Sequence, residues 1–179
     1  MFILYGLLAG IVLGTALGGQ LGGLAAVRFR WGWLVALGLA IQVLIFTAAG
    51  DALVAGAGPA LYVLSTAMVL VAVIANIRLP GLAPVAAGAV LNLVAIVANG
   101  GRMPADPAAV ASLGIEHLDG PTNSVLTAEP ALRPLTDVFA LPAWLPLANV
   151  FSVGDVLIGI GLVVAVAAAM RTRRRPDHP

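Results

Sequence analysis

Five long apolar runs constrain this chain more than any other feature of its sequence. A helix that rises about 1.5 Å per residue needs roughly 17 to 25 apolar residues to cross some 30 Å of hydrocarbon. An all-α fold follows, because a membrane β-barrel would show short alternating segments instead. We therefore predict an integral membrane bundle of about five transmembrane helices, at residues 2–18, 32–49, 59–77, 82–98 and 150–170.

The composition supports the membrane class. Of the 179 residues, 61% are hydrophobic and 9% are charged, whereas an ordinary soluble domain carries roughly 25% charged residues. One globular core cannot bury so much apolar surface, so we expect a single membrane domain over residues 1–179 that is surrounded by the lipid bilayer. The chain has no cysteine, which excludes disulfides, thiolate metal ligands and cysteine nucleophiles.

The arginines orient the predicted helices, because short loops next to a span retain arginine and lysine on the cytoplasmic side. Seven of the nine cations lie on one set of alternate loops, and acidic residues dominate the other set. These seven are Arg28, Arg30, Arg78, Arg171, Arg173, Arg174 and Arg175. We expect the N-terminus outside and the C-terminus inside.

A cleaved signal peptide is the alternative interpretation of the first apolar run. Its basic n-region would consist of Met1 and Phe2 alone, and Arg28 and Arg30 follow the run instead of preceding it. A signal peptide shows the opposite order. An uncleaved first helix is therefore favoured.

A long proline-rich outer loop, residues 99–149, precedes the last predicted helix. Its seven prolines forbid a regular helix over most of it, and loops of this length are usually functional or disordered. Residues 132–147 regain apolar side chains around Asp137, which predicts a segment that lies on the outer membrane surface or dips into the bundle. We expect the outer loop to be a cap on the bundle, not a separate domain.

Glycine recurs at every fourth position along the first predicted helix. These glycines are Gly6, Gly10, Gly14, Gly18 and Gly22. Small residues at this spacing let helices approach closely, and close packing then replaces the hydrophobic force that lipid cannot supply. We predict a helix-packing face, within the bundle or between copies of the chain, with a pore lining as the alternative. A phosphate-binding loop is excluded, because no Lys-Ser/Thr pair follows the glycines.

Polar residues inside the predicted spans are candidates for function, since a buried unpaired polar group costs several kcal/mol in an apolar medium. In four spans such residues lie about 9 to 11 Å below the outer helix end, at roughly 1.5 Å per residue. We therefore predict one polar layer in the outer half of the membrane that opens toward the outer loop. The candidate site residues are Gln42, Asn92, Asn99, Arg102, Asn149, Ser152 and Asp155, with Ser65 at the same depth.

Asp155 has two interpretations, and both stay open. A carboxylate in the first turns of a helix is stabilised by unpaired amides and the helix dipole, with Asn149 as a plausible cap and Arg102 as a partner. The same carboxylate also suits a ligand, proton or ion site. For Gln42 and Asn92 the structural interpretation is hydrogen bonding that holds helices together.

No motif indicates catalysis, a cofactor or a metal. His117, Glu116 and Asp119 do not predict a metal site, because three or four ligands must converge and His178 falls on the other side of the membrane. Nucleophile-elbow, zinc-protease and dinucleotide-binding motifs do not occur. The arginine cluster at 171–175 is sufficiently explained as a topology signal, so we expect no nucleic acid partner.

Two segments flank the outer loop: Asn-Gly-Gly-Arg-Met-Pro at 99–104 and Asn-Val-Phe-Ser-Val-Gly-Asp at 149–155. With Asn92 and the five-helix layout, these segments make the chain similar to a family of small bacterial membrane proteins classed as a domain of unknown function. The resemblance covers nearly the whole chain and implies a bacterial cytoplasmic membrane. It implies no activity, cofactor or catalytic residue. Gly100 and Gly101 permit a tight exit from the preceding helix.

Three functions fit these observations. We favour a non-enzymatic protein whose outer loop and polar layer bind a partner or a small ligand, as an accessory subunit or sensor does. A small oligomeric transporter or channel that uses Asp155 is the alternative, and an enzyme acting on a lipid or headgroup is the third. Transport and catalysis usually need several ionisable groups within the spans, where Asp155 is nearly alone. We therefore expect a membrane protein or a second copy of the chain as partner, and no enzymatic activity.

Overall fold

The computed structural model of the chain describes residues 2–54, 56–114 and 124–172. The predicted metal-ligand candidates at 116–119, the arginines at 173–175 and His178 lie outside these residues. The α-helices of the described parts are α1 (Phe2–Ala16), α2 (Gly32–Ile45), α3 (Ala48–Val54), α4 (Gly58–Ala75), α5 (Leu82–Ala98), α6 (Pro107–Ala111) and α7 (Val153–Met170). Short 3-10 helices span Leu21–Ala26 and Arg133–Leu135.

The chain is mostly helical, and its helices are apolar. By length and composition, α4 and α7 can each cross a membrane, and α2 with α3 makes a third candidate if that pair is one bent span. The helices α1 and α5 are apolar but shorter, with 15 and 17 residues. Large apolar side chains point outward, and Val12 and Val43 are each 69% exposed. This distribution suits a chain whose surroundings are lipid.

The second predicted span is broken, so the expectation of one helix over residues 32–49 is wrong. The Thr47 hydroxyl donates to the Leu44 carbonyl (2.9 Å) and accepts from the Gly50 amide (3.1 Å). A side chain that bonds both ways competes with the helical ladder, ending α2 and beginning α3. Gly50 is required at this bend, because an added Cβ would collide with the Leu44 carbonyl oxygen. The two helices meet at 86°.

The glycine face of α1 packs along α7, and the two helices run in the same direction. A Cβ added to Gly6 would lie 2.9 Å from the Cα of Gly159, and one added to Gly10 would lie 3.2 Å from the Cα of Val163. Gly14 meets the next turn of α7 in the same way. Bare backbone therefore lies against backbone along three turns, within a single chain.

The predicted packing role does not extend to Gly18 and Gly22. The helix α1 ends at Ala16, and Gly18 adopts a left-handed conformation with φ of 76°. Apart from adjacent residues, no atom in the described parts of the chain lies within 4 Å of where a Cβ would stand on either glycine. Beyond the helix end a four-residue spacing no longer marks one face, which is why the sequence pattern misleads here. Gly23 instead approaches the end of α7, beside Met170.

On its other side α7 packs against α5, which runs in the opposite direction. Gly88 meets Gly154 near the start of α7, and Gly81 meets Gly161 two turns further along. At both places an added Cβ would collide with the facing carbonyl oxygen. The helix α4 packs on α5 and on the antiparallel α2. The helix α7 thus lies between α1 and α5, and α5 joins it to the pair α4 and α2.

The outer loop folds over the end of the bundle where α5 ends and α7 begins. Its strands are β1 (Met103–Ala105), β2 (Ser124–Leu126), β3 (Phe139–Ala140) and β4 (Val150–Phe151). The strands β1 and β2 pair in parallel, and β3 and β4 pair antiparallel. Met103 shares a buried cluster with Ala95 and Ile96 of α5. The loop therefore has its core in common with the helices.

Candidate functional site

A cavity of about 640 Å³ lies between the helices and the folded outer loop. Its walls are largely apolar, and Phe2, Phe46 and Ile96 contribute to them. Its polar lining includes Gln42, Asn92, Asp137, Asn149 and Asp155. The structure thus brings four of the seven predicted site residues to one cavity and adds Asp137, which the sequence did not nominate.

Three side chains form a closed hydrogen-bonded ring at the cavity wall. The Asn92 amide nitrogen donates to Oδ1 of Asp155 (2.8 Å), and the Ser152 hydroxyl donates to Oδ1 of Asn92 (2.8 Å). The Ser152 amide donates to Oδ2 of Asp155, and the Asp155 amide donates to the Ser152 hydroxyl, each at 3.0 Å. Both carboxylate oxygens of Asp155 therefore accept hydrogen bonds from the protein. The ring joins α5 to the start of α7.

Ser152, and not Asn149, caps the last helix. Ser152 and Asp155 form a capping box, in which each side chain accepts a hydrogen bond from the other's backbone amide. The strand β4 occupies the two preceding residues, so α7 begins at Val153 and not at the predicted residue 150. The Asn149 side chain donates to the Val150 carbonyl oxygen (2.6 Å). The predicted cap at Asn149 is therefore wrong.

Gly154 explains how Asn92 reaches the helix end. A Cβ at Gly154 would collide with the side-chain oxygen of Asn92 and would lie 2.7 Å from the Gly88 carbonyl oxygen. Only glycine leaves room for both groups at this crossing. The Ser-Val-Gly-Asp sequence at 152–155 thus supplies three features within one turn. Ser152 caps the helix, Gly154 leaves room for the Asn92 side chain, and Asp155 provides the carboxylate that Asn92 contacts.

Gln42 belongs to a second polar group, on α2 and α4. Its amide nitrogen lies 3.3 Å from the Ser65 hydroxyl and 3.5 Å from the Thr66 hydroxyl, as a donor to both. Ser65 is fully buried and donates to the Tyr62 carbonyl oxygen (2.9 Å). These bonds join two helices as the structural interpretation expects, while Gln42 also lines the cavity.

Asn99 anchors the outer loop and does not line the cavity. Its amide nitrogen donates to the Ala131 carbonyl oxygen, and its oxygen accepts from the Ala131 amide, both at 2.9 Å. The same nitrogen also donates to Ala95 at the end of α5. Asn76 holds Arg30 by the same pair of bonds at the opposite end of the bundle. An asparagine at a helix end therefore fixes a loop at each end of the molecule.

Arg102 is not a partner of Asp155 in the described part of the chain. Arg102 is exposed, and an ion pair within the described part of the outer loop joins Arg133 to Asp106 at 2.8 Å. Gly100 and Gly101 have φ of 70° and 82°, and the Gly101 amide donates to the Ile96 carbonyl oxygen. This left-handed turn carries the chain away from α5, and with it Arg102 leaves the site.

Asp137 is the cavity residue that the sequence did not nominate. Its backbone amide donates to the Pro104 carbonyl oxygen (2.9 Å), and its carbonyl oxygen accepts from the Asp106 amide (3.0 Å). The side chain is 5% exposed, and the Ser124 hydroxyl donates to Oδ2 at 3.4 Å. The available signal was the single acid within the mainly apolar stretch at 132–147.

The environment of Asp137 disfavours its charge. Burial raises the pKa of this carboxyl to about 7, and the negative charge of Asp155 adds to the rise, while the Ser124 hydrogen bond opposes it. Asp137 therefore changes its protonation state near neutral pH. The cavity wall as a whole can accept hydrogen bonds and positive charge.

Comparison with known families relates the chain to a family of unknown function. The model of the family of unknown function DUF5317 matches residues 26–167. No curated protein and no solved structure matches the chain. The matched range contains α2, α4, α5, the outer loop and most of α7, and so the whole ring of Asn92, Ser152 and Asp155. The chain belongs to the DUF5317 family.

Proposed function

We propose that this protein is a multi-pass protein of the bacterial cytoplasmic membrane that binds a small ligand at its outer face without chemically changing it, as a sensor or accessory subunit does. The observation that carries the proposal is the cavity between the helices and the outer loop. Small-molecule sites typically enclose about 300 to 1,000 Å³, with apolar walls and a few placed polar groups. The cavity of about 640 Å³ has this size and composition.

The packing supports five spans. The helices α1 and α5 lie along α7, which is long enough to cross by itself. The direction of α1 matches that of α7, and α5 runs the opposite way, as alternate crossings require. The bent second segment adds α2, which packs antiparallel to α4. Helices shorter than the bilayer are accommodated by local thinning at modest cost.

The charges support an outward-facing cavity. Arg30 is bonded to the end of α4, and Arg171 follows the end of α7, so both lie at the end of the bundle opposite the cavity. Arg28 and Arg78 belong to the same set of short connections. Arginine-rich short connections stay in the cytoplasm, which leaves the cavity and the outer loop outside.

A reporter that is active only in the cytoplasm tests this orientation. We expect activity when the reporter is fused after residue 175 and none when it is inserted at the exposed Glu129 of the outer loop. Membrane insertion of both fusions, checked by fractionation, is the control. Activity at Glu129 would reverse the topology and place the cavity inside.

Co-purification tests ligand binding. Ala148 lines the cavity, and Ala143 is exposed on the same loop. We expect mass spectrometry of the protein purified in mild detergent to find a small molecule that is retained by Ala143→Phe and lost by Ala148→Phe, because the phenyl ring occupies the space. Equal retention by both variants, or an empty wild type, would contradict the proposal. A stoichiometric membrane protein in the same preparation would identify the partner of an accessory subunit.

A transporter is the second candidate, and Asp137 is the observation that favours it. The sequence argument against transport was that Asp155 is nearly alone among ionisable groups in the spans. The fold places the Asp137 carboxyl at the same cavity, with a pKa of about 7. A carboxyl that exchanges a proton near neutral pH beside a second acid is a common element of coupled transport.

A further inference from the structure

The side-chain amides of the cavity wall use their donors within the protein but leave an acceptor without a partner. The amide nitrogens of Gln42, Asn92 and Asn149 all donate within the protein. In contrast, the side-chain oxygen of Asn149 is buried and has no hydrogen-bond partner among the described residues. A buried acceptor without a partner is destabilising, because it has lost its hydrogen bonds to water. An occupant of the cavity could therefore donate a hydrogen bond to the side-chain oxygen of Asn149.

The charged side chains of the described cavity lining are acidic. Asp137 and Asp155 both line the cavity, and its described lining contains no arginine, lysine or histidine. The positive charge of the N-terminus acts on Asp137 too weakly to offset its burial, and Asp106 is paired with Arg133 outside the lining. A buried carboxylate is expensive unless it is paired, so the site is completed by a proton or by a cation.

The remaining walls suit an apolar body with a positive end. Phe46 and Tyr62 both line the cavity and pack edge to face, with ring centroids 5.2 Å apart. Aromatic rings attract cations through their negative faces. A bare metal ion would leave such walls uncovered, and no group of three or more acidic or histidine side chains in the described parts of the chain is arranged to hold one.

We propose that the cavity binds an organic monocation, an ammonium group on an apolar body, with the ammonium between Asp137 and the side-chain oxygen of Asn149. This inference rests on the proposed ligand-binding function and names the ligand class of the same cavity. The ammonium supplies the missing donors and the missing positive charge together. The apolar body lies against the aromatic wall.

Binding is coupled to pH through Asp137. The groups that act on its carboxyl are the Asp155 carboxylate on α7, the Ser124 hydroxyl on β2 and, as the smallest effect, the positive charge of the N-terminus. With a pKa of about 7, Asp137 must lose its proton before it pairs with the ammonium. The dissociation constant is therefore expected to fall about tenfold between about pH 6 and about pH 8.

Three probes of similar size test the proposal: 2-phenylethylammonium, 2-phenylethanol and phenylacetate. In calorimetric titrations of the full chain in detergent, we expect the ammonium to bind at least about tenfold more tightly than the alcohol, and phenylacetate to bind most weakly. Asp137→Asn is expected to weaken ammonium binding about tenfold and to abolish its pH dependence. Glu129→Gln removes an exposed acid from the same loop and serves as the matched control.

Each contrary outcome has its own meaning. Equal binding of the alcohol and the ammonium, lost in Ala148→Phe, overturns the cationic ligand and leaves the ligand-binding function intact. Ammonium binding that survives both Asp137→Asn and Ala148→Phe occurs outside the cavity and overturns the inference. Absence of ammonium binding also overturns it, while the co-purified molecule separately decides the proposed function.

Discussion

Replacing Gly10 by leucine is expected to prevent α1 from packing on α7. Even the Cβ of the new side chain would lie 2.9 Å from the Val166 Cβ and 3.2 Å from the Leu162 carbonyl oxygen, and three more carbons follow it. The clash is largely with backbone, which cannot move aside as a side-chain tip can. We expect a loss of about 3 kcal/mol or more, at the upper end for overpacked sites. Thermal unfolding and folded yield in mild detergent measure it.

Gly22→Leu is the matched control for this substitution. It makes the same chemical change at the same four-residue spacing, but no atom lies within 4 Å of the added Cβ. We expect its stability to stay within about 0.5 kcal/mol of the wild type. Gly10→Ala should fall between the two variants. Equal stability of Gly10→Leu and Gly22→Leu would mean that the glycine face is not in contact with α7.

The helices were predictable where the apolar surroundings alone decide the backbone conformation. A backbone in an apolar medium must satisfy its own hydrogen bonds, so each apolar run becomes helical, and α5 occupies the predicted 82–98. The break after α2 was not predictable from hydropathy, since Thr47 and Gly50 interrupt the helix through local bonds and a tight bend. Local hydrogen bonds and a tight bend of this kind leave no mark on a hydropathy pattern.

The site was predictable only within the helices. Counting residues from the outer ends placed Gln42, Asn92 and Asp155 at one depth, because the helical rise is constant, and all three line the cavity. Asn99 and Arg102 lie where α5 ends: Asn99 bonds the backbone of Ala131, and the left-handed turn at Gly100 and Gly101 carries Arg102 away from the site. Beyond a helix end, periodicity carries no information about direction.

Asp137 is the opposite case, a residue that lines the cavity although the sequence did not nominate it. It reaches the cavity because β1 holds its backbone from more than thirty residues earlier in the chain. No spacing within the outer loop encodes that pairing. Its presence at the cavity weakens the sequence argument against transport, which regarded Asp155 as nearly alone among ionisable groups in the spans.

Asp155→Asn alone is expected to destabilise the protein even if the charge has no role in binding. Both carboxylate oxygens accept, one from Asn92 and one from the Ser152 amide. An amide at position 155 keeps one acceptor and turns the other into a donor that faces a donor. We expect a loss of about 1 to 3 kcal/mol, so instability of this variant does not separate structural from functional roles. Asn92→Asp alone is also unfavourable, because it places two carboxylates within hydrogen-bonding distance.

Exchanging the two residues resolves this, because the ring can run in either direction. In the double variant Asn92→Asp/Asp155→Asn, the amide at position 155 donates to the carboxylate at position 92, which also accepts from the Ser152 hydroxyl. The remaining oxygen at position 155 still accepts from the Ser152 amide, so every bond of the ring has a donor and an acceptor. We expect the double variant to regain most of the stability that either single variant loses, with a coupling free energy of about 1 to 3 kcal/mol in thermal unfolding. Additive losses would show that the two side chains do not share this ring. Ammonium titration of the stable double variant then reports whether the position of the charge matters, since its fold is intact and only the charge has moved from α7 to α5.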